Sequence, residues 1–150
     1  MNLKRLGVGL LLGFTLVLMP GLPAQAAKTL PGIAYTHTTS PKTRGTWYTH
    51  IKNHGYAKTV VKKHGVTWYR KVKRAGAWNR VRQLNNQHLY VYRYNLKVGT
   101  VTLKMFGFYA AGETGNAFHF MSTRNKNGKV VSVMVDANGS ENYHAWKYVK

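Results

Sequence analysis

From Gly45 onward the chain alternates between apolar and polar positions with a period of two. Around Trp47, for example, residues 47, 49 and 51 fall on one face of an extended chain, and residues 46, 48 and 50 fall on the other. Such runs, rich in β-branched and aromatic residues, predict strands. They cover residues 46–51, 57–63, 66–73, 77–84, 88–94, 100–109, 117–122, 130–135 and 142–149.

The segments between these runs are short and rich in Gly and Asn, which accept the positive φ that tight turns require. Asn127-Gly128, between two apolar runs, is the strongest hairpin signal. The pattern therefore predicts an all-β fold, a single antiparallel meander of eight or nine strands. We expect a small closed or nearly closed barrel, because closure leaves no edge strand unpaired. A two-sheet sandwich is the alternative.

The first 26 residues have the order of a secretory signal peptide. Lys4 and Arg5 precede an uncharged run over residues 6–19, and Ala24-Gln25-Ala26 offers small residues at a cleavage site. We expect cleavage before Ala27, a flexible lead-in over residues 27–44 and one β-barrel domain over residues 45–150. The mature chain would then be secreted, either extracellular or associated with the cell surface, with no transmembrane segment left.

Charge changes this picture more than any other property of the composition. The chain has 23 lysines and arginines and three acids, and only Lys4 and Arg5 belong to the predicted signal. No Asp or Glu occurs before Glu113. A positive electrostatic field attracts polyanions and raises their association rate. For a secreted protein this favours anionic cell-wall polymers or other acidic surfaces as partners, rather than a dedicated nucleic-acid role.

The contact residues that we expect for such a polymer crowd one acid-free segment, in which aromatic and basic residues are interleaved. They are Lys62, Lys63, Arg70, Lys71, Lys73, Arg74, Arg80 and Arg82. Stacking faces next to cations suit anionic glycopolymers as well as single-stranded nucleic acid. Ordinary strand alternation offers another explanation, in which Trp and Tyr face the core while Lys and Arg face water.

A short motif, Arg44-Gly45-Thr46-Trp47-Tyr48, stands at the head of the first predicted strand. Its Gly-x-Trp-Tyr part resembles the corresponding element of lipocalins and related calycin barrels. A signal, a spacer and then this motif also resemble small basic secreted proteins of lactobacilli. The lipocalin resemblance implies a small apolar ligand inside the barrel. The residues that would line the barrel are Trp47, Val101, Leu103, Met105, Phe118 and Phe120. The same side chains could instead fill a solid interior.

The sequence offers few candidate catalytic residues. There is no cysteine, and the three acids, Glu113, Asp136 and Glu141, form no pair of the kind that glycoside hydrolysis requires. The seven histidines show no metal-ligand spacing. We therefore expect no enzyme activity, no metal and no cofactor.

Together these observations predict a secreted, non-enzymatic basic binding protein that associates with anionic cell-envelope polymers. Two alternatives remain open. The first is a lipocalin-like carrier of a small apolar ligand. The second is a cationic antagonistic or toxin-like secreted factor.

Overall fold

A computed structural model describes residues 33–111, 113 and 117–149. The predicted signal peptide and residues 27–32 of the lead-in lie outside these described residues. All ten strands in the described part are paired antiparallel, and no α-helix occurs there. The strands are β1 (Ala34–Thr36), β2 (Gly45–Ile51), β3 (Gly55–Lys62), β4 (Gly65–Lys71), β5 (Asn79–Asn85), β6 (Tyr90–Val98), β7 (Val101–Tyr109), β8 (Ala117–Arg124), β9 (Val130–Asp136) and β10 (Glu141–Asn142).

The prediction of an all-β antiparallel fold is confirmed, but the ten strands form two sheets, and not the single meander of eight or nine strands that was expected. One sheet has the order β1-β6-β7-β8-β9-β10, and the other has the order β2-β3-β4-β5. Within the described residues, an isolated bridge between Tyr48 and Tyr143 joins them, with both N···O distances at 2.8 Å. Neither sheet closes on itself, so the structure agrees with the two-sheet alternative better than with a closed barrel.

The main core lies between the two sheets. The four-stranded sheet contributes Trp47, Val61, Val66 and Leu84, and these pack with Val91, Phe106, Phe108 and Met134 of the six-stranded sheet and with Leu89, which precedes β6. Burial of apolar area on this scale is the main force that holds the sheets together.

The motif at the head of β2 anchors this core. The indole N–H of Trp47 donates to the backbone oxygen of Thr43 at 2.8 Å, and the ring of His144 lies 3.4 Å from the Trp47 ring, centroid to centroid. Gly45 has a φ of +118°, and a side chain there would meet His144 at 3.0 Å. The glycine and the tryptophan are therefore both structural requirements of this corner.

The two ends of the chain differ from the sequence-based expectation. In the expected lead-in, Ala34–Thr36 forms β1 on the edge of the six-stranded sheet, and Pro41–Thr43 forms a 3-10 turn. At the other end, the predicted strand over residues 142–149 is mostly irregular. Only β10 is a strand, and Trp146–Tyr148 forms a 3-10 turn. A third 3-10 turn covers Asn86–His88.

Candidate functional site

The predicted polymer contacts do not form one compact patch. Lys62 and Lys63 stand at the β3–β4 turn, where Lys62 is paired with Gly65. Arg70 and Lys71 lie at the opposite end of the same sheet, close to the turn before β3. Six strand residues separate the two ends, which at about 3.3 Å per residue is roughly 20 Å. The predicted contacts are therefore spread along the four-stranded sheet, with a group of basic residues at each end.

Seven of the eight predicted contacts are exposed, and one is not. Lys71 is buried, with 7% of its surface accessible, although lysine side chains are almost always exposed to solvent. Arg82 is exposed but forms an ion pair with Glu113. The exposed contacts are Lys62, Lys63, Arg70, Lys73, Arg74, Arg80 and Arg82.

Lys71 lies in a cluster of aromatic rings on the outer face of the four-stranded sheet. Its ammonium nitrogen is 4.4 Å from the ring centre of Trp78 and 4.3 Å from that of Trp146, and it donates to the backbone oxygen of Arg74. The guanidinium carbon of Arg74 is 4.7 Å from the Trp146 ring. Cations over aromatic faces gain electrostatic attraction that grows as water is excluded. This arrangement offsets the cost of burying the Lys71 charge.

A second lysine enters the same cluster. The ammonium nitrogen of Lys58 is 4.1 Å from the Tyr69 ring centre and 5.1 Å from that of Trp78. Partial burial, and then repulsion from Lys71, lower the pKa of the Lys58 ammonium. Two like charges are thus held close together by the aromatic rings around them.

The three acids are all engaged by nearby groups. Glu113 accepts hydrogen bonds from Arg82 and from the Ala110 amide, and these lower the pKa of its carboxyl. Asp136 accepts from the amides of Asn138 and Ser140, both at 2.9 Å, and so holds the turn after β9. Glu141 accepts from the hydroxyl of Tyr143. The carboxylates therefore serve local structure and leave most exposed cations without an acidic partner.

A cleft of about 300 Å³ opens between the two sheets. Its apolar walls include Trp68 from the four-stranded sheet and Phe108 and Phe118 from the six-stranded sheet, and Arg70 and Arg82 lie among its polar residues. This volume is at the lower end of the range for small-molecule sites.

The predicted barrel-lining residues divide between two faces. Trp47 and Phe120 pack in the core between the sheets, and Phe118 also lines the cleft. The register pairs Phe106 with Phe118, so by strand alternation Val101, Leu103 and Met105 project from the opposite face of β7. Val101 is 56% exposed. The apolar pattern predicted one interior for all six residues, whereas Met105 and the core residue Phe106 are neighbours in sequence and lie on opposite faces of β7.

Within the described residues, no group of three or more His, Asp or Glu side chains is placed to hold a metal ion. His144 packs on Trp47, whereas His119 lies on β8 opposite Val135. The buried Nδ1 of His119 has no hydrogen-bond partner in the structure.

Two features escaped the sequence-based prediction. The aromatic cover over Lys71 depends on Trp146, which is distant in sequence and was placed in a strand. The β6–β7 hairpin is also longer than expected, because the predicted strand ended at Tyr94. The signal for that extension was present: Leu96, Val98, Val101 and Leu103 alternate with polar residues on either side of Gly99-Thr100.

Comparison with known proteins found no matching family model, no matching curated protein and no matching solved structure. The resemblances drawn from the Gly-x-Trp-Tyr motif therefore stay predictions. Among the residues that the structure covers, no helix has the length and hydropathy needed to cross a bilayer.

Proposed function

We propose that this chain is a secreted, non-enzymatic basic protein that associates with anionic polymers of the cell envelope. One observation carries the proposal. Basic side chains are exposed at both ends of the four-stranded sheet and on β5, while the three carboxylates of the chain are engaged in local contacts. Most of the positive charge therefore remains available to a polyanion.

The shape of the charged surface fits a long partner better than a compact one. The exposed cations at the β3–β4 turn and those after β4 are roughly 20 Å apart by strand geometry. A flexible polymer with repeated negative groups can reach both ends at once, and linked contacts strengthen one another. Near Arg74, the half-buried rings of Trp78 and Trp146 add apolar faces on which a sugar unit could pack.

Secretion belongs to the proposal as well. It rests on the signal-like order of residues 1–26. Because the chain has no cysteine, the secreted domain would be held by its core without disulfides.

The test is binding of purified residues 27–150 to walls of the producing cell, before and after extraction of their anionic polymers, across a salt series. We expect binding that is lost with the polymers and that weakens steeply as salt increases, because exposed charges are screened. Binding that ignores both treatments would refute the proposal.

Matched charge variants locate the contact surface. One variant replaces Lys62, Lys63 and Lys73 with Gln, and the control replaces Arg124, Lys126 and Lys129 with Gln. Each removes three exposed positive charges. We expect the first to weaken wall binding more than the control does. Equal losses would mean that net charge alone drives the association.

The cleft supports a second candidate, carriage of a small apolar ligand. Trp68 lines the cleft, so a ligand that enters it should change tryptophan emission. The test is a titration with the neutral probe N-phenyl-1-naphthylamine, comparing wild type with Phe118→Ser. Saturable binding that the variant loses would favour the carrier, and binding by neither chain would remove it.

A further inference from the structure

The outer half of the β6–β7 hairpin is not paired with the strands on either side of it. On one side, β1 pairs with β6 only at residues 91–93. On the other side, β8 pairs with β7 only at Phe106 and Gly107. Among the described residues, the segment from Tyr94 to Met105 therefore forms strand pairs only with itself. It is a two-stranded ribbon around the turn at Gly99.

The ribbon has one apolar and one polar face. The cross-strand pairs on the first face are Tyr94 with Met105, Leu96 with Leu103, and Val98 with Val101. The pairs on the second face are Asn95 with Lys104, and Lys97 with Thr102. Because paired residues in an antiparallel ladder point to the same side, this register separates apolar and cationic side chains completely.

The apolar face is open to solvent near the tip. Leu96 is 41% exposed, Val98 is 55% exposed and Val101 is 56% exposed. A contiguous apolar patch beside cations marks an interaction site more often than a solvated surface. The surrounding charge restricts the partner to one that is both apolar and negatively charged.

We propose that the β6–β7 ribbon inserts its tip into an anionic lipid bilayer. The apolar face enters the boundary between headgroups and acyl chains, and Lys97 and Lys104 bind lipid phosphates, as in an amphipathic interfacial helix. The net positive charge of the domain brings the ribbon to the surface. This partner differs from the polymer proposed above and does not depend on it.

The first test is co-sedimentation of residues 27–150 with vesicles of phosphatidylglycerol and phosphatidylcholine, and with vesicles of phosphatidylcholine alone. The variant V98T/V101T keeps shape and charge but removes apolar character. Its control, V72T/V130T, changes two exposed valines elsewhere, which are 81% and 57% exposed. We expect V98T/V101T to bind the anionic vesicles roughly tenfold more weakly, and V72T/V130T to bind them as wild type does.

The second test reads insertion directly, and the cysteine-free chain makes it simple. A nitrobenzoxadiazole label is placed on Thr100→Cys at the ribbon tip, or on Asn127→Cys at the β8–β9 turn as control. We expect a rise in emission with anionic vesicles at position 100 and none at position 127. High salt should reverse this rise less completely than it reverses polymer binding, because apolar contact is not screened.

Three results would overturn the proposal. One is equal vesicle affinity of the two double variants, and another is equal response of the two labels. The third is a dimer in sedimentation equilibrium that V98T/V101T abolishes, without vesicle binding by wild type, because the apolar face would then serve a second copy of the chain.

Discussion

Strands β4 and β6 both carry aromatic and basic residues, yet the outward face of β4 is partly buried and the outward face of β6 is open to solvent at its distal end. On β4, the outward Lys71 is covered by Trp78 and Trp146 and is 7% exposed. On β6, the outward Leu96 and Val98 are 41% and 55% exposed. A charged side chain is thus buried in one strand, while apolar side chains face water in the other.

The difference arises from segments that are remote in the sequence. The loop after β4 and the C-terminal 3-10 turn lie over the four-stranded sheet, and Arg74 donates to the backbone oxygen of Val149, 75 residues away. Along the distal part of β6, the ribbon pairs only with its own partner strand among the described residues. Alternation of apolar and polar residues defines the two faces of a strand, but packing against remote segments decides which face is buried.

Glycine substitutions at the two turns should give the largest contrast. Gly55 has a φ of +80°, and a side chain there would collide with the backbone oxygens of Lys71 and Val72. Gly99 has a φ of +59° and open space around it. We expect Gly55→Ala to lower the free energy of unfolding by about 3 kcal/mol, because left-handed strain and overpacking add. Gly99→Ala should cost about 1 kcal/mol, from strain alone.

Urea unfolding followed by tryptophan fluorescence measures both glycine variants. If they lose equal stability, the region around Lys71 is no more tightly packed than the ribbon tip, and the comparison fails.

Side-chain truncation tests whether Trp146 covers Lys71 while Leu96 stays open to solvent. Trp146 contacts the rings of Tyr48, Tyr56 and Trp78 as well as Lys71. Because it is half-buried, Trp146→Ala should cost about 2 kcal/mol, less than a fully buried tryptophan. Leu96→Ala on the open ribbon should cost under about 0.5 kcal/mol. Thermal unfolding by circular dichroism compares the two, and a larger loss for Leu96→Ala would contradict the assignment of covered and open faces.

The sequence predicted the strand pattern well because alternation is local. The strands from Trp47 to Val135 were found within a few residues of their ends, and the Asn127-Gly128 turn appears with Gly128 at a φ of +76°. The arrangement into two sheets was harder to predict, since hydropathy does not say whether β2 pairs with β6 or with the far end of the chain.

The site was less predictable for a related reason. Seven of the eight predicted contacts are exposed, as alternation and charge suggested. Lys71 is the exception, because its burial depends on Trp146, and no local pattern links the two. Leu103 and Met105 were assigned to the interior because they are apolar, but Phe106 and Phe108 take that face. Over residues 105–109 neither face of β7 carries a charged side chain, so period two gives no preference between the faces there.

At the base of the β6–β7 hairpin, next to the ribbon, tyrosine side chains cover the outer face, and pH can test this cover. Tyr109 lies over Gly107, which has no side chain to obstruct it, and its ring is 4.9 Å from that of Tyr92. Burial raises the pKa of Tyr109 to about 12. The unfolded chain therefore loses this proton first, at its ordinary pKa near 10, and stability falls as pH rises from about 10 to 12. At pH 11 the loss from this group is about 1.4 kcal/mol.

Tyr109→Phe isolates that contribution. We expect the difference in unfolding free energy between wild type and variant to shift by this amount between pH 8 and pH 11, measured by urea unfolding at each pH. A difference that does not change with pH would mean that Tyr109 is solvated, and the outer face of the hairpin would then be open down to its base.

The smallest expected effect concerns the two lysines of the covered face. Repulsion from Lys71 lowers the pKa of Lys58, but burial lowers it more. Lys71→Met removes the neighbouring charge and keeps a side chain of similar length, so the pKa of Lys58 should rise without reaching its ordinary value. NMR titration of the lysine side-chain signals measures this, with Lys73→Met as the control because Lys73 is exposed after β4. If both variants leave Lys58 unchanged, the two ammonium groups do not share one aromatic cluster. Full restoration of the ordinary pKa would show that the rings leave Lys58 solvated, and the covered face would resemble the open one.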